Sequence, residues 1–139
     1  MKALTIHEPY ASLIIMGIKK LETRGRKTNV RGLVAIHAGK KPMDADGKAL
    51  AEKYGIEPQY GKVLGVVNLV QCWEYAGGEL FAECNFDTDF LHMDVPELEE
   101  TFGYFDNDRY AWEMEVVEKF DEPIPAKGMQ GWWNWERGA

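Results

Sequence analysis

Serine is almost missing from this chain: Ser12 is the only one among 139 residues. It falls inside an apolar stretch, which leaves a serine triad little to work with. Cysteine is nearly as scarce. Cys72 and Cys84 are too few for a disulfide framework, and with His92 they lack the close paired spacing of a zinc site. No metal and no cofactor are expected. A thiol nucleophile has only Cys72 or Cys84 to draw on, and Cys72 follows a core strand and reads as structural. Glycine-rich phosphate loops of the dinucleotide and Walker types are absent. The longest uncharged apolar run, Leu13 to Ile18, is far short of the roughly 20 residues that span a bilayer. The opening Met1-Lys2-Ala3-Leu4 has no export-signal core. A cytoplasmic protein without membrane association is therefore expected.

What remains is a globular mixture, 45% hydrophobic, 28% charged and 12% aromatic. That composition fits one folded domain over residues 1–139 and excludes disorder or collagen-like repeats. The net charge of −7 argues against indiscriminate polyanion binding over the whole surface. The charge is unevenly placed, however. Lys19, Lys20, Arg24, Arg26, Lys27, Arg31, Lys40 and Lys41 are eight of the sixteen basic residues, and only Glu22 opposes them in that segment. The segment sums to +7 (eight minus one) and the other 116 residues to −14. Such an island is either a local anion site or a solvated basic loop.

The pattern of elements predicts an α+β domain. Leu4 and Ile6 alternate as in a short strand. Glu8-Pro9 opens a helix over Ala11 to Met16, and Gly17 stops it. Lys20 to Arg24 is extended, Gly25 to Arg31 is an exposed loop, and Leu33 to His37 is a buried strand. A second helix runs from Ala45 to Tyr54, with Asp44 as a cap and Gly55 as its stop. Val63 to Val70 reads as a central strand whose Gly65 marks a bulge or a close backbone approach. Residues 76–105 read as an insertion with one short helix. Tyr110 to Val117 is a strand with one wet face, continued raggedly by Phe120 to Pro125. Five or six strands with two or three helices imply a small mixed β-barrel.

The run Leu4-Thr5-Ile6-His7-Glu8-Pro9-Tyr10 is followed by Gly17-Ile18-Lys19, Glu22-Thr23-Arg24, Arg31-Gly32 and Ile36-His37-Ala38. With Arg109-Tyr110-Ala111-Trp112 and Pro123 through Trp135, this pattern closely resembles the ASCH domain. The resemblance covers most of the chain outside residues 76–105. It implies a PUA-like barrel with a cleft against the first helix, and binding of single-stranded RNA or of a modified nucleoside or nucleotide. Bacterial N(4)-acetylcytidine amidohydrolases resemble the chain around Gly17-Ile18-Lys19. There the lysine works with a threonine three residues on and with a later glutamate. Lys19 matches the lysine, but Glu22 stands at the threonine position and Thr23 comes one residue late. On a strand such a slip turns a side chain to the opposite face. Glu79, Glu83 and Glu97 are all candidates for the later glutamate.

The candidate residues each carry two readings. Glu22 and Arg24 share a strand face. They suit recognition of a base edge, or a structural ion pair. If the chain is an enzyme, Glu22 is a general base for a hydrolysis, and Lys19, Arg24 or Thr23 its partners; the activity is amidohydrolase or ribonuclease. Lys19 and Arg31 also suit phosphate contacts. Tyr10 either stacks on a base or packs on the first helix. His37 is a satisfied core histidine or a base contact. Arg109 or Tyr110 borders the cleft. Trp132, Trp133 and Trp135 close a barrel end or stack on nucleic acid. An interaction module whose cleft is filled is the third class. Oligomeric state is not legible.

Overall fold

The computed structural model describes residues 1–83 and 90–138. Cys84 lies outside the described residues, as does the side chain of Glu83. The elements run β1 (Lys2–Ile6), α1 (Tyr10–Ile15), β2 (Leu21–Arg24), β3 (Gly32–Ala38) and α2 (Ala45–Tyr54), then β4 (Lys62–Ala76), β5 (Glu79–Glu83) and β6 (Phe90–Asp94), then α3 (Glu97–Phe102), β7 (Tyr110–Pro125) and β8 (Trp132–Asn134). The architecture is α+β; the described residues form three helices, where two or three were expected, and eight strands instead of five or six.

β5 and β6 come from the stretch read as an insertion with a single helix, and β8 from the aromatic tail. Gly77 and Gly78 both take positive φ, 59° and 88°. That suits a two-residue turn between twisted antiparallel strands, and it folds β5 back on β4 with Ala76 opposite Glu79. β6 then pairs with β5. β4 also runs past Val70 to Ala76, because Cys72, Trp73 and Glu74 pair with β7.

The sheet order is β2-β7-β4-β3-β1-β8, with β1 and β3 parallel. Among the described residues no ladder joins the edge strands β2 and β8. The sheet curls, and side chains cross its seam. Trp112 of β7 stacks on Trp132 of β8, with centroids 5.5 Å apart and planes 6° apart. Trp112 Nε1 donates to the Arg26 carbonyl at 3.1 Å. Arg24 of β2 donates through Nη2 to the Thr5 carbonyl on β1, at 3.1 Å.

Apolar residues on the inner face, including Leu4, Ile6, Ile36, Val67, Leu69 and Met114, form the core, and Ile14 and Ile15 of α1 fill it. Each such side chain contributes about 1.5–3 kcal/mol by leaving water. α1 is anchored by Glu8, whose carboxylate accepts from Ser12 N (2.9 Å), Ser12 Oγ (2.7 Å) and Gln59 N (2.9 Å). The one serine is therefore a structural donor. α2 begins on Asp44, which accepts from Gly47 N, and ends on left-handed Gly55. Gly65 marks a register shift where a Cβ would sit 2.2 Å from the Glu118 carbonyl oxygen. Both expectations for that glycine hold. The start of β7 is buried on both faces: Ala111, expected on the wet face, packs with Leu21, Trp73, Leu80 and Ala82.

Candidate functional site

Strand β2 is short, and its alternation sorts the candidates. Leu21 and Thr23 face one way, Glu22 and Arg24 the other. Glu22 is 8% exposed and Lys19 2% exposed. The Lys19 ammonium donates to the Leu21 carbonyl and to Glu22 Oε1, the latter at 3.4 Å. Glu22 Oε2 accepts from Arg24 Nε and pairs with Arg24 Nη2, each at 3.2 Å. The Arg24 guanidinium also lies 5.5 Å from the Trp112 ring centroid. Lys19, Glu22 and Arg24 thus form one ionic chain, and only its Arg24 end reaches open space.

Thr23 is not part of this chain. Its hydroxyl accepts from Tyr104 N at 3.2 Å on the α3 side. Tyr10 is half-buried against the core. Burial first, then the carboxylates of Asp44, Asp46 and Glu22, push its phenol above the ordinary value.

The Arg24 end opens into a cavity of about 610 Å³. Thr5 and His7 line it from the β1 end, Arg24 and Arg26 from β2 and its loop, His37 and Lys40 from the β3 end, and Lys127 to Gly131 from the segment before β8. Four cations stand in this lining and no carboxylate does. No α1 residue lines the cavity. The open space at Arg24 therefore lies between the β1, β2 and β3 ends and the 127–131 segment, where the sequence reading placed the cleft against the first helix. Lys40, Lys127, Arg26 and His7 were not singled out as site residues. Arg26 and Lys40 were signalled by the basic island and Lys127 by the Pro-Ala-Lys-Gly run at 125–128, but only tertiary folding brings them together with His7.

A chain of hydrogen bonds forms the floor. Trp133 Nε1 donates to Thr5 Oγ1 at 3.2 Å. Thr5 Oγ1 and His37 Nδ1 are 3.1 Å apart, and His37 Nε2 is 2.8 Å from the Ala126 carbonyl oxygen. An indole N–H only donates and a carbonyl only accepts. The carbonyl places the proton on Nε2, and in the neutral ring, which burial favours, Thr5 donates to Nδ1. His37 is neutral in this arrangement, and burial lowers its pKa below 6.5. It is a satisfied core histidine that touches the cavity. Gly128 covers it, and a Cβ there would lie 2.6 Å from His37 and from Thr5 Oγ1.

The other candidates lie elsewhere. Arg31 donates to the Thr28 and Val30 carbonyls (3.0 and 2.8 Å) and to Gln71 Oε1 (3.2 Å). It shares a separate cavity with Tyr110. Arg109 donates to the Tyr104 carbonyl at 2.9 Å and sits over the Tyr104 ring. Trp133 and Trp135 are buried, and Trp132 is half-buried. Burial raises the Cys72 thiol pKa, which disfavours a thiolate nucleophile.

Glu99 was missed. It is 4% exposed, and its two oxygens accept from Lys20 N and Leu21 N at 3.0 Å each. It clamps α3 to the edge of β2 beside Lys19. Nothing in the acidic run at 97–100 distinguished it from Glu97. Among the described residues Glu79, His92 and Asp94 lie close enough to hold a cation. They are on the outer hairpin, where Glu79 and His92 pair at 2.8 Å. No helix among the described residues is long and apolar enough to cross a membrane.

Fold and cleft together define a small mixed α+β module with a cation-lined cavity at the seam of a curled sheet. A family model of the ASCH domain matches residues 4–124, and the chain belongs to that PUA-like family, which is associated with RNA binding. Among curated proteins it is similar to those named activating signal cointegrator 1 from Mus musculus and Homo sapiens. Identity is 35% over 80 residues in both, covering 50% of this chain and 14% of each relative. The chain thus spans a small part of the relatives' length.

Proposed function

We propose that the chain binds single-stranded RNA through the cavity lined by Arg24, Arg26, Lys40 and Lys127. The observation that carries this reading is a lining with four cations and no carboxylate, on a chain of net charge −7. Phosphate contact favours such a lining, and the acidic remainder restricts binding to this face. The volume of about 610 Å³ falls in the range of about 300–1,000 Å³ typical of small-molecule sites. One nucleotide, plain or modified, fits that scale. The family association with RNA supports the same reading.

The test is fluorescence anisotropy with a short labelled single-stranded RNA. Lys40→Ala with Lys127→Ala is expected to weaken binding by tenfold or more, with an unchanged circular dichroism spectrum. Unchanged affinity in that variant overturns the cleft assignment.

A second reading rests on the Lys19–Glu22–Arg24 chain, whose Arg24 end faces the cavity. There Glu22 acts as general base through the Oε2 beside Arg24, and Arg24 stabilises the oxyanion, in a hydrolase for N(4)-acylated cytosine nucleosides or for RNA. Turnover of N(4)-acetylcytidine or RNA that disappears in a folded Glu22→Gln variant supports it. Absence of turnover in the native chain removes it for those substrates.

A further inference from the structure

The cavity at Arg24 does not end at Arg26. Arg26 and Gly131 also line a second cavity, of about 680 Å³, between the 26–30 loop and β8. Lys27, Thr28 and Asn29 of that cavity in turn line a third, of about 520 Å³, which contains Arg31 and Tyr110. Shared lining residues make the three neighbours along the basic loop at 25–31.

Cations line all three cavities, and aromatic rings join them in the second and third. Lys40, Lys127 and Arg26 stand in the first cavity, Lys2 and Lys27 with Trp132 in the second, and Arg31 with Tyr110 in the third. The six cations are exposed and make no ion pair among the described residues. Glu74, in the third cavity, is the one carboxylate in the three linings. Trp132 has one face on Trp112 and is half-buried at the second cavity. The loop is also held in shape: Trp112 ties down the Arg26 carbonyl, Thr28 Oγ1 accepts from Val30 N at 3.1 Å, and Arg31 grips two loop carbonyls. A preformed surface loses less entropy on binding.

We infer that the three cavities are one continuous track for a single RNA strand. A nucleotide occupies the first cavity, a neighbouring base stacks at Trp132 in the second, and Lys27 and Arg31 take the phosphates beyond. This extends the reading of the first cavity and rests on it. Cations together with rings match the phosphate–base repeat of an unpaired strand. A duplex keeps its bases inside and offers them to no cavity.

The test is anisotropy at low salt with labelled single-stranded RNA of increasing length, from a mononucleotide to an octanucleotide. Affinity is expected to climb to a length of about four or more nucleotides, within the range for single small folds. A mononucleotide offers one phosphate and the longer strand several. The slope of log affinity against log salt should then steepen with length, by about 0.7 for each added phosphate contact. Lys2→Ala with Lys27→Ala is expected to flatten the octanucleotide slope by about 1.4 and to leave mononucleotide binding unchanged. Trp132→Ala should weaken octanucleotide binding by about tenfold, with Trp132→Phe retaining most of the affinity. An affinity that stops rising at one or two nucleotides overturns the track while the first cavity stands. So does an octanucleotide indifferent to Lys2 and Lys27, or an RNA duplex that binds as tightly as the strand. Failure of every RNA, mononucleotide included, overturns the cleft reading itself.

Discussion

Arg24 holds Glu22 through two nitrogens, each 3.2 Å from Oε2, while its Nη2 also donates to the Thr5 carbonyl at 3.1 Å. One side chain thus finishes the buried ion chain, bridges the β2–β1 seam and stands at the mouth of the basic cavity. The pair sits at i and i+2 on one strand, which fixes both side chains to the same face.

Removing Glu22 strands a charge. In Glu22→Ala the Lys19 ammonium, 2% exposed, keeps only the Leu21 carbonyl as partner. Breaking a buried pair in this way costs about 3 kcal/mol or more. The double replacement Lys19→Met with Glu22→Ala should cost less than the sum of the single changes, because no lone buried ammonium remains. Urea unfolding of the four proteins measures the coupling. Additive costs contradict the ion chain.

His37 makes stability depend on pH. Burial lowers its folded pKa from 6.5, so near that pH the unfolded chain binds a proton that the folded chain does not. This contribution to stability is complete above pH 6.5 and is lost as pH falls from there toward the lowered folded value. The urea midpoint of the native chain should fall further between about pH 7.5 and about pH 5.5 than that of His37→Gln. Equal falls contradict the neutral ring.

Gly128 is required by space. Its Cβ position lies 2.6 Å from His37 and from Thr5 Oγ1. Gly128→Ala is expected to cost about 1–3 kcal/mol and to weaken RNA binding by displacing Lys127. A variant with native stability and affinity shows that the 127–131 segment is not seated on His37.

Glu99 is predicted to be a fastener. Glu99→Ala leaves the Lys20 and Leu21 amides without their acceptors, at about 1–3 kcal/mol. Amide hydrogen exchange at those two residues should accelerate well beyond that of β7. Unchanged protection there contradicts the clamp.

Elements whose limits are set locally were legible in the sequence. Asp44 and Gly55 bound α2 by capping and by left-handed φ, and both act within one helical turn. Gly65 announced its bulge because only a missing Cβ permits the approach of Glu118. The β5–β6 hairpin was not legible. The Gly77-Gly78 turn that leads from β4 into β5 was visible, but acidic composition obscured the pairing that follows. The shared face of Glu22 and Arg24 followed from strand alternation, and so did the separation of Thr23. The cavity itself did not follow. Thr5, Arg24, Lys40 and Lys127 meet only after the sheet curls and the 127–131 segment crosses its seam.

The most direct test is the salt dependence of single-stranded RNA binding by the native chain, with Lys40→Ala plus Lys127→Ala alongside. Log affinity is predicted to fall linearly with log salt, and the double variant to flatten that slope by about 1.4, or about 0.7 for each phosphate contact removed. An affinity indifferent to salt, or a slope that the two lysines leave unchanged, contradicts RNA recognition through this cleft.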